Sequence, residues 1–467
     1  MCLRCAILLG LASFSFNFAS HAQWQFQQLC TFSNNPAPPR TPSFITQGTN
    51  GNFYGTLIYS SVAPPNTPVS DCRFFEMTPS GGVTLFPPAT SPPILSLNPE
   101  LATADDGAFY ATTTTNASFP FPGLGLILKL TPSGQISTAF AFRNPSDGGR
   151  PSSIRRGLDG FFYGVTSGTN TVAFPPAYYK TIFQFATNNT LTTLYSVTNA
   201  IEFTGAPVQG PDGFLYGTTA LEIFQSPSGS TYRVSFYRLS TNGDFTTLYT
   251  RSNSAGKAGE LIFGSDGLLY GAIGAGSASG FTGPKPGSIF RITTTGDFTN
   301  LFTFNGTNGF DPVDRLLLAA DGSFYGTTDG GIAVYSNSGT LFHLSTNGGL
   351  TTVITFTGPN EIAPTSPMVQ ASDGNLYGTA GVVPTTTSGM VFRLVQPTAA
   401  ALSISNDIAV ITWNSFTNGI YRLEYKSNLD DPAWMSLDPT VIATASTSTV
   451  IDHPTDPHRF YRLVLLP

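Results

Sequence analysis

Seven copies of one short motif set the tightest limit on what this chain can fold into. Asn50-Gly51-Asn52-Phe53-Tyr54-Gly55-Thr56 recurs as Asp106-Gly107-Ala108-Phe109-Tyr110-Ala111-Thr112, and again at 159–164, 212–219, 266–271, 321–328 and 373–379. The tyrosines Tyr54, Tyr110, Tyr163, Tyr216, Tyr270, Tyr325 and Tyr377 stand 52 to 56 residues apart. A fixed period of this size marks a repeat architecture, in which each copy is one supersecondary unit that buries its apolar face against the next.

Each copy reads as four strands. Strand A precedes the Asp-Gly, strand B carries the Tyr-Gly, and strand C carries motifs such as Ile289-Phe290-Arg291-Ile292 and Leu341-Phe342-His343-Leu344. Strand D follows a second polar turn, as in Leu301-Phe302-Thr303-Phe304. Asp-Gly and Asn-Gly between short apolar runs predict type I′ hairpins. Composition agrees. Only 10% of residues are charged, against roughly 25% in an average soluble domain, and Thr, Ser, Asn and Gly fill the positions where helices carry Glu and Lys. With 38 Phe and 18 Tyr the chain can build a core. A four-stranded unit repeated in this way predicts a β-propeller blade. The glycine after each tyrosine is read as permitting close approach of neighbouring blades.

The seventh copy has its strand C, Val391-Phe392-Arg393-Leu394, but no strand D after it. The missing piece matches Gln27-Gln28-Leu29-Cys30-Thr31-Phe32 near the N-terminus. The expected fold is therefore all-β: a seven-bladed β-propeller over 23–397, closed by an N-terminal strand. Cys30 lies on that strand and Cys72 in the first full blade, so a disulfide between them would staple the seam; two separate buried thiols are the other reading. After Pro397 short alternating strands such as Ile408–Trp413 and Tyr421–Tyr425 predict a small C-terminal β-sandwich over 398–467, similar to a fibronectin type III module.

The motifs resemble those of the bacterial GloVer tandem-repeat family, whose units carry Asp-Gly-x-[Phe/Leu]-Tyr-Gly-Thr-Thr and then [Ile/Val]-Phe-[Arg/Lys]-Leu. Repeats four and six, at Asp212–Thr219 and Asp321–Thr328, match in full. The first repeat has Asn50 for Asp, the second has Ala111 for Gly, and the third and fifth lose the Thr pair. The resemblance covers about residues 23 to 396 and implies an exported bacterial protein, with no activity attached.

Residues 1–22 read as a secretory signal peptide, with Arg4 in the n-region, a mostly apolar run from Ala6 to Ala19, and small Ser20 and Ala22 before the cleavage point. The expected location is secreted or extracellular, with the periplasm and cell surface as variants, and the mature chain carries no membrane span. A net charge of −6 with only 21 Lys and Arg excludes a nucleic-acid groove. No cofactor or metal is expected, since His343 is the one histidine of the repeats. The mature chain is expected to be a monomer.

Site candidates follow from propeller geometry. The short turns between A and B and between C and D leave on one face, and the long B–C and D–A connections on the other, which is the candidate binding face. The repeated aspartates sit on the tight-turn face and are read as structural. The charges that do not repeat are the ligand-binding candidates: Arg150, Arg155 and Arg156 in one connection, Arg315 in another, Asp329 on a B–C loop, with Glu260 beside them, and Tyr178 and Tyr179 as stacking aromatics. Asp311 or Asp314 with Glu361 would be the carboxylate pair of a glycoside hydrolase. The expected function is non-enzymatic recognition of a glycan or extracellular protein by the long-loop face. An extracellular polysaccharide-degrading enzyme is the alternative, and a structural element of the cell envelope is a third reading.

Overall fold

The chain is described by a computed structural model covering residues 25–32, 40–63, 67–87, 94–116, 124–168, 180–274, 287–330, 339–356, 362–382, 389–395 and 401–466, except for 99, 144, 227–228, 255, 313–314, 321, 365, 406–407, 415–419, 429, 443, 445–446 and 455–458. The proposed signal peptide, Tyr178, Tyr179, Asp314 and Glu361 lie outside the described residues. The chain divides into two compact units, Phe26–Leu394 and a smaller one that holds Val395–Pro467.

The larger unit is all-β: apart from a single 3-10 turn at Pro145–Asp147, every regular element among its described residues is a strand. The strands form seven sheets of four or five strands, each in the order A-B-C-D. The sixth is typical: Phe310–Pro312 and Leu317–Leu318 form a two-piece strand A, followed by Phe324–Gly330, Thr340–Leu344 and Leu350–Thr355. In the seventh sheet the outermost place beside Gly389–Val395 is taken by Gln25–Phe32, from the other end of the chain. Arg393 fastens that strand by donating from Nε and Nη2 to Gln27 Oε1, at 3.1 and 2.6 Å.

The tight turn differs from the expected one. In the first repeat the Gly51 amide donates to the Gly48 carbonyl at 3.0 Å and the Gly48 amide to the Asn52 carbonyl at 2.8 Å. Only the glycine has positive φ, 82° at Gly51, whereas a type I′ turn needs it at both central residues. The turn is a type I turn ending in a left-handed glycine. The residue before the glycine stays right-handed because its side chain already has a partner: Asp212 Oδ1 accepts from the Phe214 amide at 3.2 Å, and Asp266 Oδ1 from the Leu268 amide at 3.1 Å. The second carboxylate oxygen accepts from the repeat tyrosine, at 2.6 Å for Tyr163, Tyr216 and Tyr270. Burial, reinforced by that carboxylate, pushes these phenols far up and keeps them protonated; for Tyr270 the value is about 12.

Neighbouring sheets pack through the aromatic pair of strand B. Tyr54 meets Phe109 at 4.5 Å, Tyr110 meets Phe162 at 4.7 Å, Tyr270 meets Phe324 at 4.3 Å, and Phe53 of the first sheet meets Tyr377 of the seventh at 4.2 Å. These rings are all but fully buried. The glycine after the tyrosine serves a different contact from the one expected. A Cβ on Gly55, Gly164, Gly326 or Gly378 would lie 2.3 to 2.6 Å from the ring of Phe75, Phe183, Phe342 or Phe392. Each of those rings belongs to the residue directly opposite on strand C of the same sheet. The second repeat tolerates Ala111 because its opposite residue is Leu128, which has no ring to lie across the strand.

Cys30 is a free thiol. Its Sγ lies 3.5 Å from Met77 Sδ, and burial pushes it up to about 11. Cys72 stands on the strand Thr67–Met77 with its side chain outside the described residues, and the staple expected between the two cysteines is not formed. The smaller unit contains two three-stranded sheets. One has Ala401–Ser405, Ile408–Asn414 and Thr447–Asp452; the other has Met435–Ile442, Ile420–Lys426 and Phe460–Leu466. They share a core of Ala409, Ile411, Trp413, Tyr421, Leu423 and Tyr461. Among the described residues no helix is long and apolar enough to cross a membrane.

Candidate functional site

All seven sheets contribute, from the first strand or from the break between its pieces, to one cavity of about 200 Å³, lined by Ser43, Phe44, Glu100, Ser152, Ser153, Thr204, Gly205, Glu260, Arg315 and Pro367. The register is set by the repeat. Phe44, Glu100, Ser153, Glu260, Arg315 and Pro367 each stand seven residues before the left-handed glycine of their own turn, Gly51, Gly107, Gly160, Gly267, Gly322 and Gly374. Ala206 has the same place in the fourth repeat. A position that is Phe, Ser, Ala or Pro elsewhere is charged in three repeats, and the packing brings those three charges together.

Arg315 is the hub. Its Nη1 donates to Glu100 Oε1 at 2.6 Å and lies 3.5 Å from Glu260 Oε2. The three side chains are only 10 to 19% exposed. Glu260 is held from the other side, where its Oε1 accepts from the Ala206 amide at 2.9 Å. A Cβ on Gly205 would sit 2.3 Å from Glu260 Cγ, so the glycine makes room for the carboxylate arm. Burial, aided by the negative charge of Glu260, pushes the Glu100 carboxyl up to about 7, against the pull of Arg315 and Arg155.

Arg155 stands two residues closer to the tight turn than Ser153, on strand Pro151–Arg156. Its Nη1 reaches the Leu261 carbonyl of the fifth sheet at 2.8 Å. Among the described residues it makes no ion pair, although Glu100 and Glu260 lie within electrostatic range. Burial and the nearby Arg315 charge hold its guanidinium down, to about 10. Ser153 is 8% exposed, and its Oγ has no hydrogen-bond partner among the described residues.

The structure separates the sequence candidates. Arg315 and Glu260 line the cavity, and Arg155 stands within electrostatic range of them without lining it; Glu100 had escaped notice. Its signal was present, since aligning the repeats on the turn glycine puts Glu100, Glu260 and Arg315 in one column. Arg156 is directed elsewhere and pairs with Asp105 beside the preceding turn. It stands four residues before its glycine, where other repeats have Gln209 and Gln47, which accept from the amides of Asp159 and Ser372 in the preceding turns. Arg156 is thus a clamp between sheets. Arg150 is exposed, with φ of 54°; its amide donates to the Leu124 carbonyl at 2.5 Å, and its carbonyl accepts from Ser167. Asp311, with φ of 56°, is half-buried on Phe310–Pro312 and does not line the cavity. Asp329 lies on strand Phe324–Gly330, not on a loop. No cluster of three or more His, Cys, Asp or Glu suited to a metal occurs among the described residues.

Fold and cavity together define an all-β repeat protein with a charged site built from its first strands. Residues 203–419 match the Gloeobacter/Verrucomicrobia repeat, the family to which the motifs pointed. No curated protein matches the sequence. Among solved structures the fold is similar to that of a Mycobacterium tuberculosis puromycin-hydrolyzing peptidase, at 12% identity and a TM-score of 0.50 over 82% of this chain and 62% of that one. A Xanthomonas campestris gluconolactonase matches at 10% identity and 0.40, over 79% of this chain and 99% of its own. A Penicillium chrysogenum alpha-L-arabinanase, complexed with arabinobiose, matches at 9% and 0.40, over 80% and 98%. The neighbours are propeller-like, and at these identities the likeness is one of fold.

Proposed function

We propose that this chain is an exported, monomeric recognition protein: a seven-bladed β-propeller closed by its N-terminal strand, with a C-terminal β-sandwich of fibronectin III type, binding a saccharide in its central cavity without turnover. Seven sheets in A-B-C-D order, with the seventh packed on the first through Phe53 and Tyr377, support the ring. Two sheets around one core support the sandwich.

One observation carries the functional part. Glu100, Glu260 and Arg315 fill a register position that the fold occupies with Phe, Ser, Ala or Pro in the other repeats. Buried ion pairs are poor stabilisers compared with apolar residues of equal volume, so the scaffold gains little by keeping these charges. Carboxylates, guanidinium groups and serine hydroxyls around an aromatic ring are the side chains that sugar hydroxyls need. About 200 Å³ is smaller than the ~300 Å³ at which drug-sized sites begin, which favours a single ring over an extended polymer.

The hydrolase alternative now has its best carboxylate pair in Glu100 and Glu260, with the Glu100 carboxyl at about 7 in the range of a general acid. Against it, Arg315 stands between the two carboxylates and touches both, where a scissile bond would have to lie. Binding is therefore the better reading. The test is calorimetric titration of the chain with monosaccharides and disaccharides, with analysis of the mixture for new reducing ends. Saturable heat without new ends supports recognition. New ends that vanish in Glu100→Gln would establish the hydrolase.

A further inference from the structure

The cavity wall offers more hydrogen-bond acceptors than its own donors fill. We infer that its ligand is a single-ring amino sugar, a hexosamine whose protonated amine is held by the carboxylates of Glu100 and Glu260 and the hydroxyl of Ser153. The inference rests on the recognition reading above and specifies its ligand class.

The hydrogen-bond inventory carries it. Two carboxylates, Glu100 and Glu260, line the cavity against one cation, Arg315; Arg155 does not line it and already donates to the Leu261 carbonyl. An ionised carboxylate offers about four acceptor positions. Glu100 Oε1 takes Arg315 Nη1 at 2.6 Å, and Glu260 Oε1 takes the Ala206 amide at 2.9 Å. Glu260 Oε2 lies 3.5 Å from Arg315, beyond ordinary hydrogen-bond length, and Glu100 Oε2 accepts no bond among the described residues. The lining hydroxyls divide in the same way. Ser43 Oγ pairs with Thr56 at 2.8 Å and the Thr204 hydroxyl with Thr218, whereas Ser153 Oγ, on a residue only 8% exposed, has no partner among the described residues. A buried hydroxyl left unpaired is costly. An ammonium, with three donors and no acceptor, matches two open carboxylate oxygens and one open hydroxyl, and its charge strengthens each bond. Phe44 and Pro367 supply apolar wall for the ring carbons.

The charge balance agrees. The groups that face Glu100 are Arg315 from the sixth sheet, Glu260 from the fifth and Arg155 from the third. With its carboxyl raised to about 7, Glu100 still carries a proton in many molecules near neutrality. An ammonium takes the place of that proton: Glu100 ionises, one proton leaves for solvent, and the net charge of the site is unchanged. A neutral hexose cannot make this exchange, and an anion would face two carboxylates.

Calorimetry on the full chain tests this with glucosamine, galactosamine, glucose, N-acetylglucosamine and methylammonium as probes. Each is titrated at pH 5.5 and pH 7 in two buffers of different ionisation heat, which counts protons. The amines stay mostly protonated over that range, as an α-amino group with its value of about 7.7–8.0 does. A hexosamine should bind roughly 10- to 100-fold more tightly than glucose or N-acetylglucosamine, the worth of a charged hydrogen bond. Its affinity should rise about tenfold from pH 5.5 to pH 7, and binding at pH 5.5 should release about one proton. Glu100→Gln copies the protonated carboxyl and should erase both the preference and the pH dependence. Ser153→Ala should weaken the hexosamine about 5- to 10-fold; the same register holds Ala206 in the fourth repeat, so the fold accommodates it. Equal binding of glucose and hexosamine would overturn the amino-sugar inference while leaving recognition standing. Methylammonium binding as tight as the hexosamine would reduce the site to a bare cation hole and overturn it too. No heat with any of the five probes would remove both readings.

Discussion

The larger unit carries two layers of charge, one beside the tight turns and one where the first strands converge, and they differ in every respect that matters. Beside the turns the charge repeats: Asp159, Asp212, Asp266 and Asp373 each bind the tyrosine four residues on, at 2.6 to 2.7 Å. Every such bond closes within one repeat and fixes a turn. In the convergent layer the charge is irregular, and Arg315 reaches Glu100, 215 residues away in sequence. The aspartate–tyrosine bonds of the turn layer close without a ligand; among the described residues the convergent layer keeps Ser153 Oγ without a partner and Arg155 without a carboxylate contact. In a repeat protein, what recurs builds the scaffold, and a charge that breaks the pattern at a shared register is a candidate for function.

This contrast can be broken by mutation. Arg315→Met alone should have the largest effect, a loss of about 3–5 kcal/mol in denaturant unfolding, because it strands two buried carboxylates. Gly326→Ala should cost about 1–3 kcal/mol through overlap with Phe342, and adding Phe342→Leu should recover most of it, recreating the Ala111–Leu128 pair of the second repeat. Asp212→Ala should cost about 1–2 kcal/mol, the worth of a capping carboxylate, with no change in ligand binding. The same loss of stability accompanied by lost binding would merge the two layers and defeat the distinction. pH sharpens it further. The Glu100 carboxyl is raised to about 7 in the folded chain, so the folded state holds its proton longer than the unfolded state does. The stability it contributes is complete below the ordinary carboxylate range and is lost as pH rises through about 7, with a slope of up to ~1.4 kcal/mol per pH unit. Glu100→Gln should flatten that part of the profile. Arg156→Gln, in an exposed clamp that other repeats make with glutamine, should leave both stability and binding unchanged.

Much of this was legible in the sequence, for physical reasons that also explain the misses. The strand order could be read because Asp-Gly and Tyr-Gly recur at a fixed period, and the structural role of the repeated aspartates followed from turn chemistry. The turn type was misread because Asp-Gly suits both a type I′ turn and a type I turn with a left-handed glycine; the Asp212–Tyr216 bond, invisible in a dipeptide, selects the second. The Tyr-Gly glycine was assigned to packing between sheets because its real partner, such as Phe342, lies on the next strand of its own sheet. Arg155 and Arg156 are adjacent and chemically identical, yet a strand sends neighbours to opposite sides, so one enters the cluster and the other clamps a turn. Glu100 was overlooked because its neighbours in sequence are unremarkable, and its importance appears only when repeats are laid over one another.

The central claim is that the convergent charges serve a ligand and not the fold. The most direct measurement is the unfolding free energy of the variant carrying Glu100→Gln, Arg155→Val, Glu260→Gln and Arg315→Met together, compared with the unmodified chain at neutral pH without ligand. Removing all four charges at once, Arg155 included because Glu100 and Glu260 are its nearby counter-charges, leaves none stranded, so the predicted stability equals or exceeds that of the unmodified chain. A loss of several kcal/mol would mean that the cluster is a brace holding the sheets together, and would contradict the claim.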